Sequence, residues 1–333
     1  MISTALSHPN KALVIYWGNE NDTLRLPTRS SLSVTLQGIN HPLDYLVTLR
    51  TVQSLERDKV IIDGIEEKGE IRTRFVYHLN AMRRYTGFKE KLEVTTKKTF
   101  PIGSGLAGSA ASASALAEAF AGLVGKTSDT RLKSIMARRG SGSASRSIFG
   151  GFVMWKKGNS DYSSYARQIF NENHWDVRNI IAMVSSNPKK IKSIEGMKLS
   201  KETCPEQFYS EFVSVADSHT QQISEALSAR DISKIGPLYE KENYLFRQIC
   251  LKTKPPLDYW TKVTEDIFSK IENLRNEGIP VYAGTDAGPN VHIFTLPRHV
   301  GQVIRTIQEV DGILDIIHCR VGEGSHIIED HLT

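Results

Sequence analysis

Four short segments carry the residue types that do chemistry. The first, Pro101-Ile-Gly-Ser-Gly-Leu-Ala-Gly-Ser109, runs into a helix of small residues. Its glycines let the backbone approach a ligand closely, and the free amides and dipole of a helix start attract anions. Ser109 adds a hydroxyl in the first turn. No lysine follows, so this is not the GxxxxGK[ST] phosphate loop. The second, Arg138-Arg139-Gly140-Ser141-Gly142-Ser143-Ala144-Ser145-Arg146, supplies amides, hydroxyls and a guanidinium, the donors that hold phosphate or carboxylate. A solvated linker is the plainer reading, and its place between a helix and an aromatic-rich strand weighs against that. Third is Thr285-Asp286-Ala287-Gly288-Pro289-Asn290, between two apolar strands. It reads equally as ordinary turn chemistry or as a carboxylate held at a strand end, facing a ligand. The fourth, from Lys189 to Lys198, is a basic run that by itself reads as a solvated face.

Strands are expected at 12–17, 31–36, 45–51 and 59–64, where apolar residues alternate or cluster. A helix is expected at 70–87 with Gly87 as its cap, then a strand at 92–100. The first glycine loop opens a helix; another spans 128–139, and the second loop, 140–147, leads to a strand at 149–157. A polar stretch at 158–177 precedes a strand at 179–186. Helices dominate 201–277, followed by strand, turn and strand at 279–296, a helix at 298–310 and a strand at 312–319. This mixture is α+β, with a division near 178–200 that separates an N-terminal lobe, 1–178, from a C-terminal lobe, 179–333.

A chain of 333 residues has room for one two-lobed enzyme or two domains. Lys plus Arg number 42 and Asp plus Glu 37, giving a net charge of +5. So mild an excess suits a small anionic ligand rather than nucleic acid, which needs a clustered basic stripe. No apolar run reaches the length of a membrane span, and the first residues lack a signal peptide's layout. Cys204, Cys250 and Cys319 show no pairing motif, and the 10 histidines no metal spacing, so neither disulfides nor a protein-held metal is expected. The chain reads as cytoplasmic.

ALVIYWGNENDTLRLPTRSSLSVTL is similar to a signature NIA-x-x-KYWGK followed by LP-x-NSS-x-SVTL. FPIGSGLAGSAASASAL is similar to FPTAAGLASSAAG-x-AAL, and RRGSGSASRSIFGGFVMW to RKGSGSACRS-x-x-GG-x-x-W. GMKLSKET and YAGTDAGPNV match GM-x-x-T-x-x-T and Y-x-x-DAGPN. These signatures are those of the mevalonate diphosphate decarboxylases of the GHMP kinase superfamily, which the chain resembles from about residue 10 to 295. The resemblance implies a GHMP-type fold of two α+β lobes with the active cleft between them, usually in a homodimer. It implies a phosphorylated mevalonate substrate whose 3-hydroxyl receives a phosphoryl group from ATP before phosphate and carbon dioxide leave. By position, Asp286 is the catalytic aspartate, and Arg146 the arginine that holds the substrate's carboxylate and phosphate. Tyr16, Asn19, Ser141, Gly142, Ser143, Ser193, Met197 and Lys198 fall on substrate positions, and Gly105 and Ser109 on the phosphate loop.

The chain departs from that pattern at several points. Ile15 and Asn19 replace both lysines of KYWGK, the first of which stands beside the aspartate and the second on the substrate's diphosphate. Arg29 replaces the asparagine of NSS, Gly108-Ser109 a serine pair, and Thr96-Lys97-Lys98 the element lining the adenine pocket. Arg29 and Lys98 are therefore further candidate phosphate contacts, and Asp286 is expected to stand without an ammonium beside it. These departures favour an archaeal-type mevalonate 3,5-bisphosphate decarboxylase that needs no ATP and no cofactor. The alternatives are an ATP- and Mg²⁺-dependent decarboxylase of diphosphomevalonate or phosphomevalonate, a kinase of mevalonate derivatives, and an inactive anion-binding homologue.

Overall fold

The computed structural model of the chain describes residues 1–100, 108–187 and 190–333. Two large sheets organise them. Edge to edge, a six-stranded sheet runs His326–Ile328, Ile2–Ser7, Tyr45–Thr51, Leu92–Lys98, Lys59–Ile62 and Ile65–Glu66. An eight-stranded sheet runs Ala166–Phe170, Phe152–Trp155, Ser31–Gly38, Asp315–Val321, Arg178–Met183, Val291–Thr295 and Tyr282–Thr285, with Asn10–Val14 also paired to Ser31–Gly38. The α+β expectation holds.

Strand Ser31–Gly38 shows how sequence pattern becomes position. Its alternation puts Leu32, Val34 and Leu36 into the main apolar core, while Ser31, Ser33 and Thr35 cover the opposite face. Both faces are buried, and the hydroxyl face is the one that receives Arg146. Helix Gly108–Leu123 packs on strands Ile2–Ser7 and Tyr45–Thr51, and its small residues let it lie close. A Cβ on Gly122 would meet Ser3 Oγ at 2.3 Å.

Several elements differ from expectation for identifiable reasons. The first strand of the site ends at Val14, short of residue 17, because the Ile15 N–H is taken by the Glu242 carboxylate at 3.1 Å. Strand Ala166–Phe170 lies inside the stretch expected to be irregular, and strands Ile2–Ser7 and His326–Ile328 carry too little alternation to stand out. The segment expected as a loop at 140–147 closes into a short helix, Ala144–Ser147. The helix expected at 70–87 is Gly69–Thr86, ended by Gly87 at φ 73°.

That helix buries His78, whose Nε2 lies 2.8 Å from the Met136 carbonyl and whose ring fills the space a Gly140 side chain would need. Desolvation lowers its pKa to about 4, with nearby Arg25 and Arg139 acting in the same direction. The folded chain thus resists a proton that the unfolded chain accepts near pH 6.5. Stability present above pH 6.5 is lost as the pH falls towards 4, by about 3 kcal/mol at the full shift. Urea unfolding of His78→Gln between pH 7 and 4 is expected to show a shallower decline than the parent; equal slopes would rule this histidine out as the cause.

Candidate active site

The site is assembled on the hydroxyl face described above. Arg146, on the short helix Ala144–Ser147, is buried; its Nε donates to Ser33 Oγ at 2.9 Å and its Nη1 to Ser31 Oγ at 2.5 Å. Nη2 donates to Asn10 Oδ1 at 3.2 Å, and Asn10 Nδ2 in turn ties down Ser147 Oγ and the Ser143 carbonyl. Burial lowers the Arg146 pKa to about 10, and the charges of Asp286 and Tyr16 oppose that fall. A guanidinium held by neutral hydroxyls keeps its charge available to an anionic ligand.

Asp286 sits in the turn between strands Tyr282–Thr285 and Val291–Thr295. That turn is fastened at both ends: Thr285 N–H donates to Asn243 Oδ1 at 2.7 Å, and Asn290 Oδ1 accepts from Val184 and Ser185 N–H at 2.7 and 3.0 Å. Lys11 Nζ lies 2.7 Å from Asp286 Oδ1, with the lysine side chain at 0% exposure and the aspartate at 23%. The expectation of an aspartate without an ammonium is corrected by this contact. The cation comes from residue 11, while Ile15 packs with Trp17, Met197 and Phe246 in an apolar cluster. Burial lowers the Lys11 pKa, and Asp286 works against that fall by charge and hydrogen bond. A lysine leading into the apolar run Ala12–Val14 of strand Asn10–Val14 was the overlooked signal, because a buried ammonium requires a partner.

The second glycine loop lies against Tyr16. A Cβ on Gly142 would stand 2.6 Å from the Tyr16 ring, so only glycine permits this seat. Tyr16 OH donates to Asn19 Oδ1 at 2.5 Å, and burial raises its pKa to about 12. Ser141 Oγ lies 3.4 Å from both Ser109 Oγ and Ser143 Oγ, which joins the loop to the first turn of helix Gly108–Leu123. The flanking Arg138 and Arg139 do not face the site; they anchor Asp161 and, through Arg138, the carbonyls of Leu24 and Ser164.

Tyr16, Asn19, Ser109, Ser141, Gly142, Ser143 and Arg146 are thus linked to one another, and the Asp286 charge acts on Arg146. Ser193 begins helix Ser193–Thr203; Met197 is buried against Trp17, and Lys198 points outward, 3.9 Å from Glu202. The lysine of this helix that reaches the Tyr16–Asn19 segment is Lys201, which donates to the Asn19 carbonyl at 2.9 Å. Gly105 lies outside the described residues. Lys98 is 4.0 Å from Asp63. Arg29, expected on a phosphate, is buried instead in a bidentate pair with Glu242 at 2.9 and 3.1 Å, stacked 3.7 Å over the Phe212 ring.

The two-sheet α+β frame that carries this glycine–serine loop, guanidinium and carboxylate is that of a GHMP-type enzyme. Residues 7–166 match the diphosphomevalonate decarboxylase-like N-terminal domain, and residues 179–316 the mevalonate 5-diphosphate decarboxylase C-terminal domain. Diphosphomevalonate decarboxylase of Homo sapiens is 34% identical over 91% of this chain and 79% of its own length. That of Candida albicans is 30% identical over 100% of both. The crystal structure of mevalonate diphosphate decarboxylase from Staphylococcus aureus superposes with a TM-score of 0.91 at 29% identity, covering 99% of each chain. MDDEF in complex with MVAPP, AMPPCP and magnesium superposes at 0.90 with 29% identity, again over 99% of each. The chain belongs to the diphosphomevalonate decarboxylase family and is a carboxy-lyase of the mevalonate pathway.

Two expectations are corrected by these likenesses. The ATP-independent reading on a 3,5-bisphosphate is overturned, because the relatives are diphosphomevalonate decarboxylases and a close structural neighbour holds AMPPCP with MVAPP. The expectation of no cofactor falls on the magnesium in that same complex. Both had leaned on lysines missing at 15 and 19, whereas the structure places Lys11 on Asp286 and Lys201 at Asn19.

Gly142→Ala tests the seat of Tyr16. The added methyl forces the ring to move, and kcat/KM for decarboxylation is expected to fall about ten- to a hundredfold while the fold persists. Parent activity in this variant would show that the Tyr16–Gly142 contact does not shape the site.

Proposed function

We propose that the chain is an ATP-dependent decarboxylase of mevalonate 5-diphosphate, with a C-terminal lobe at 179–333 supplying Asp286 to an N-terminal lobe at 1–178 that binds the anions. The observation that carries this reading is Asp286 with Lys11 at 2.7 Å, in a chain whose residues 7–166 and 179–316 match the family's N- and C-terminal domains. Asp286 takes the proton of the 3-hydroxyl as that oxygen attacks the γ-phosphorus of ATP and ADP departs. The C3–O bond then breaks, phosphate leaves, and positive charge develops at C3 where the Asp286 carboxylate stabilises it. Arg146 holds the substrate carboxylate until the C1–C2 pair forms the alkene and carbon dioxide departs. Lys11 keeps Asp286 ionised until it takes that proton, which passes to solvent through the aspartate's exposed side before the C3–O bond breaks, so an ionised carboxylate faces C3 in the second stage.

On the nucleotide side the donors are Ser109, Ser141 and the first-turn amides of helix Gly108–Leu123, a set of hydroxyls and N–H groups. These groups would hold the phosphates of a nucleotide, and magnesium bound with it would neutralise phosphate charge. Tyr16, Asn19, Ser143 and Ser193 are assigned to the mevalonate side. A cytoplasmic homodimer, which the family resemblance implies, is part of this proposal. Light scattering of the eluted protein reads the dimer directly.

The test incubates the protein with mevalonate 5-diphosphate and Mg²⁺, with and without ATP, and follows carbon dioxide and ADP. One ADP per carbon dioxide is expected, with none of either when ATP is omitted. Asp286→Asn is expected to lower kcat by about three orders of magnitude. Carbon dioxide released without ATP, or full activity in Asp286→Asn, would overturn the reading.

A further inference from the structure

The second oxygen of Asp286 faces a histidine that the proposed reaction has not used. His292 lies on strand Val291–Thr295, buried, with Nε2 3.9 Å from Asp286 Oδ2. Its other ring nitrogen, Nδ1, is 3.1 Å from Oδ1 of Asn179, itself buried on the neighbouring strand Arg178–Met183. With that carbonyl as partner, Nδ1 carries the hydrogen and Nε2 is turned to the carboxylate. Lys11 holds Oδ1 of the same aspartate. The carboxylate therefore stands between the Lys11 ammonium and an imidazole.

We propose that His292 is a positioning residue that sets the proton affinity of Asp286, a role resting on Asp286 as the base of the proposed reaction. With the imidazole neutral, Nε2 presents a lone pair to Oδ2. The proton that Asp286 takes from the 3-hydroxyl then meets a lone pair, not a charge, 3.9 Å beyond Oδ2, and the O3–H bond broken is balanced by the O–H bond formed. With the imidazole protonated, Asp286 has a cation on each oxygen and is a weaker base. Activity is lost as the pH falls through the titration of His292.

The groups around this histidine favour that division of labour. Asp286 faces it from the turn and Lys11 lies beyond the carboxylate. Helix Ile232–Lys252 contributes Tyr239, whose hydroxyl donates to the His292 carbonyl at 3.2 Å and leaves the ring nitrogens alone. Strand Tyr282–Thr285 places Gly284 opposite His292, and strand Arg178–Met183 places Asn179 at its Nδ1. The facing titratable groups among the described residues include Asp286, Lys11 and Tyr239.

The experiment is the pH profile of kcat/KM for ATP-dependent decarboxylation, from pH 5.5 to 8.5, in the parent and in His292→Asn. Asparagine keeps a polar contact to Asn179 and takes no proton. The parent is expected to lose activity on the acid side. His292→Asn is expected to lack that limb, with a plateau kcat about tenfold lower and KM within about twofold of the parent. Superimposable profiles would overturn the proposal. Should His292→Asn not fold, ¹⁵N NMR of the ring in the parent and in Asp286→Asn decides: loss of the carboxylate is expected to lower the His292 titration point, and an unmoved point overturns the pairing. Full activity in Asp286→Asn would sink the proposed function and this role with it. An inactive Asp286→Asn beside an unchanged His292→Asn profile would sink this role alone.

Discussion

Lys11 loses all contact with water when the chain folds, and the Asp286 oxygen 2.7 Å away is what lets it stay charged. Removing an ammonium from water costs several kcal/mol, and its partner's attraction roughly returns that cost. The pair therefore adds little to net stability; its consequence is placement. Lysine comes from strand Asn10–Val14, and aspartate from the turn after Tyr282–Thr285. Helix Ile232–Lys252 brings the Tyr239 ring within 5.6 Å of the ammonium and uses Asn243 to hold Thr285. Sequence-distant segments must converge before either charge is tolerated, so the site and the fold form together.

A second buried pair clarifies the first. Glu242 receives Arg29 on both oxygens, His219 Nδ1 at 2.5 Å and the Ile15 N–H at 3.1 Å, with both side chains of the Arg29–Glu242 pair at 0% exposure. Every lone-pair direction of that carboxylate is occupied from within, and its pKa is lowered even against burial, by His219, Arg29 and the Ile15 amide. It is a structural joint that ends the strand at Val14 and turns Tyr16 towards Gly142. Asp286 retains 23% exposure and has an oxygen facing His292. Access, rather than the presence of an ion pair, separates the carboxylate we propose as the base from the supporting one.

Much of this was legible in the residues. The glycine–serine loop with Arg146 reads as an anion site by composition, the Asp286 turn reads equally as ordinary turn chemistry, and the alternation in Ser31–Gly38 gives both the core face and the hydroxyl face. Lys11 was not legible, because aligning motifs by position assumes that a cation keeps its place along the chain. The folded molecule requires only that an ammonium reach the carboxylate. Arg29 misled for the opposite reason: a new arginine in a binding motif suggests a phosphate, and its partner Glu242 is more than two hundred residues away in sequence. Strand Ala166–Phe170 was hidden in a polar stretch since it lies at the edge of its sheet, where side chains remain exposed.

The account stands on Lys11 and Asp286 acting as one unit. A double-mutant cycle measures this directly, with kcat/KM for ATP-dependent decarboxylation determined for Lys11→Met, Asp286→Asn and the pair combined. Acting as a unit predicts that Lys11→Met alone loses at least about tenfold, and that the double variant is no worse than Asp286→Asn. Losses that simply add, or a Lys11→Met enzyme with the parent's kcat/KM, would contradict it.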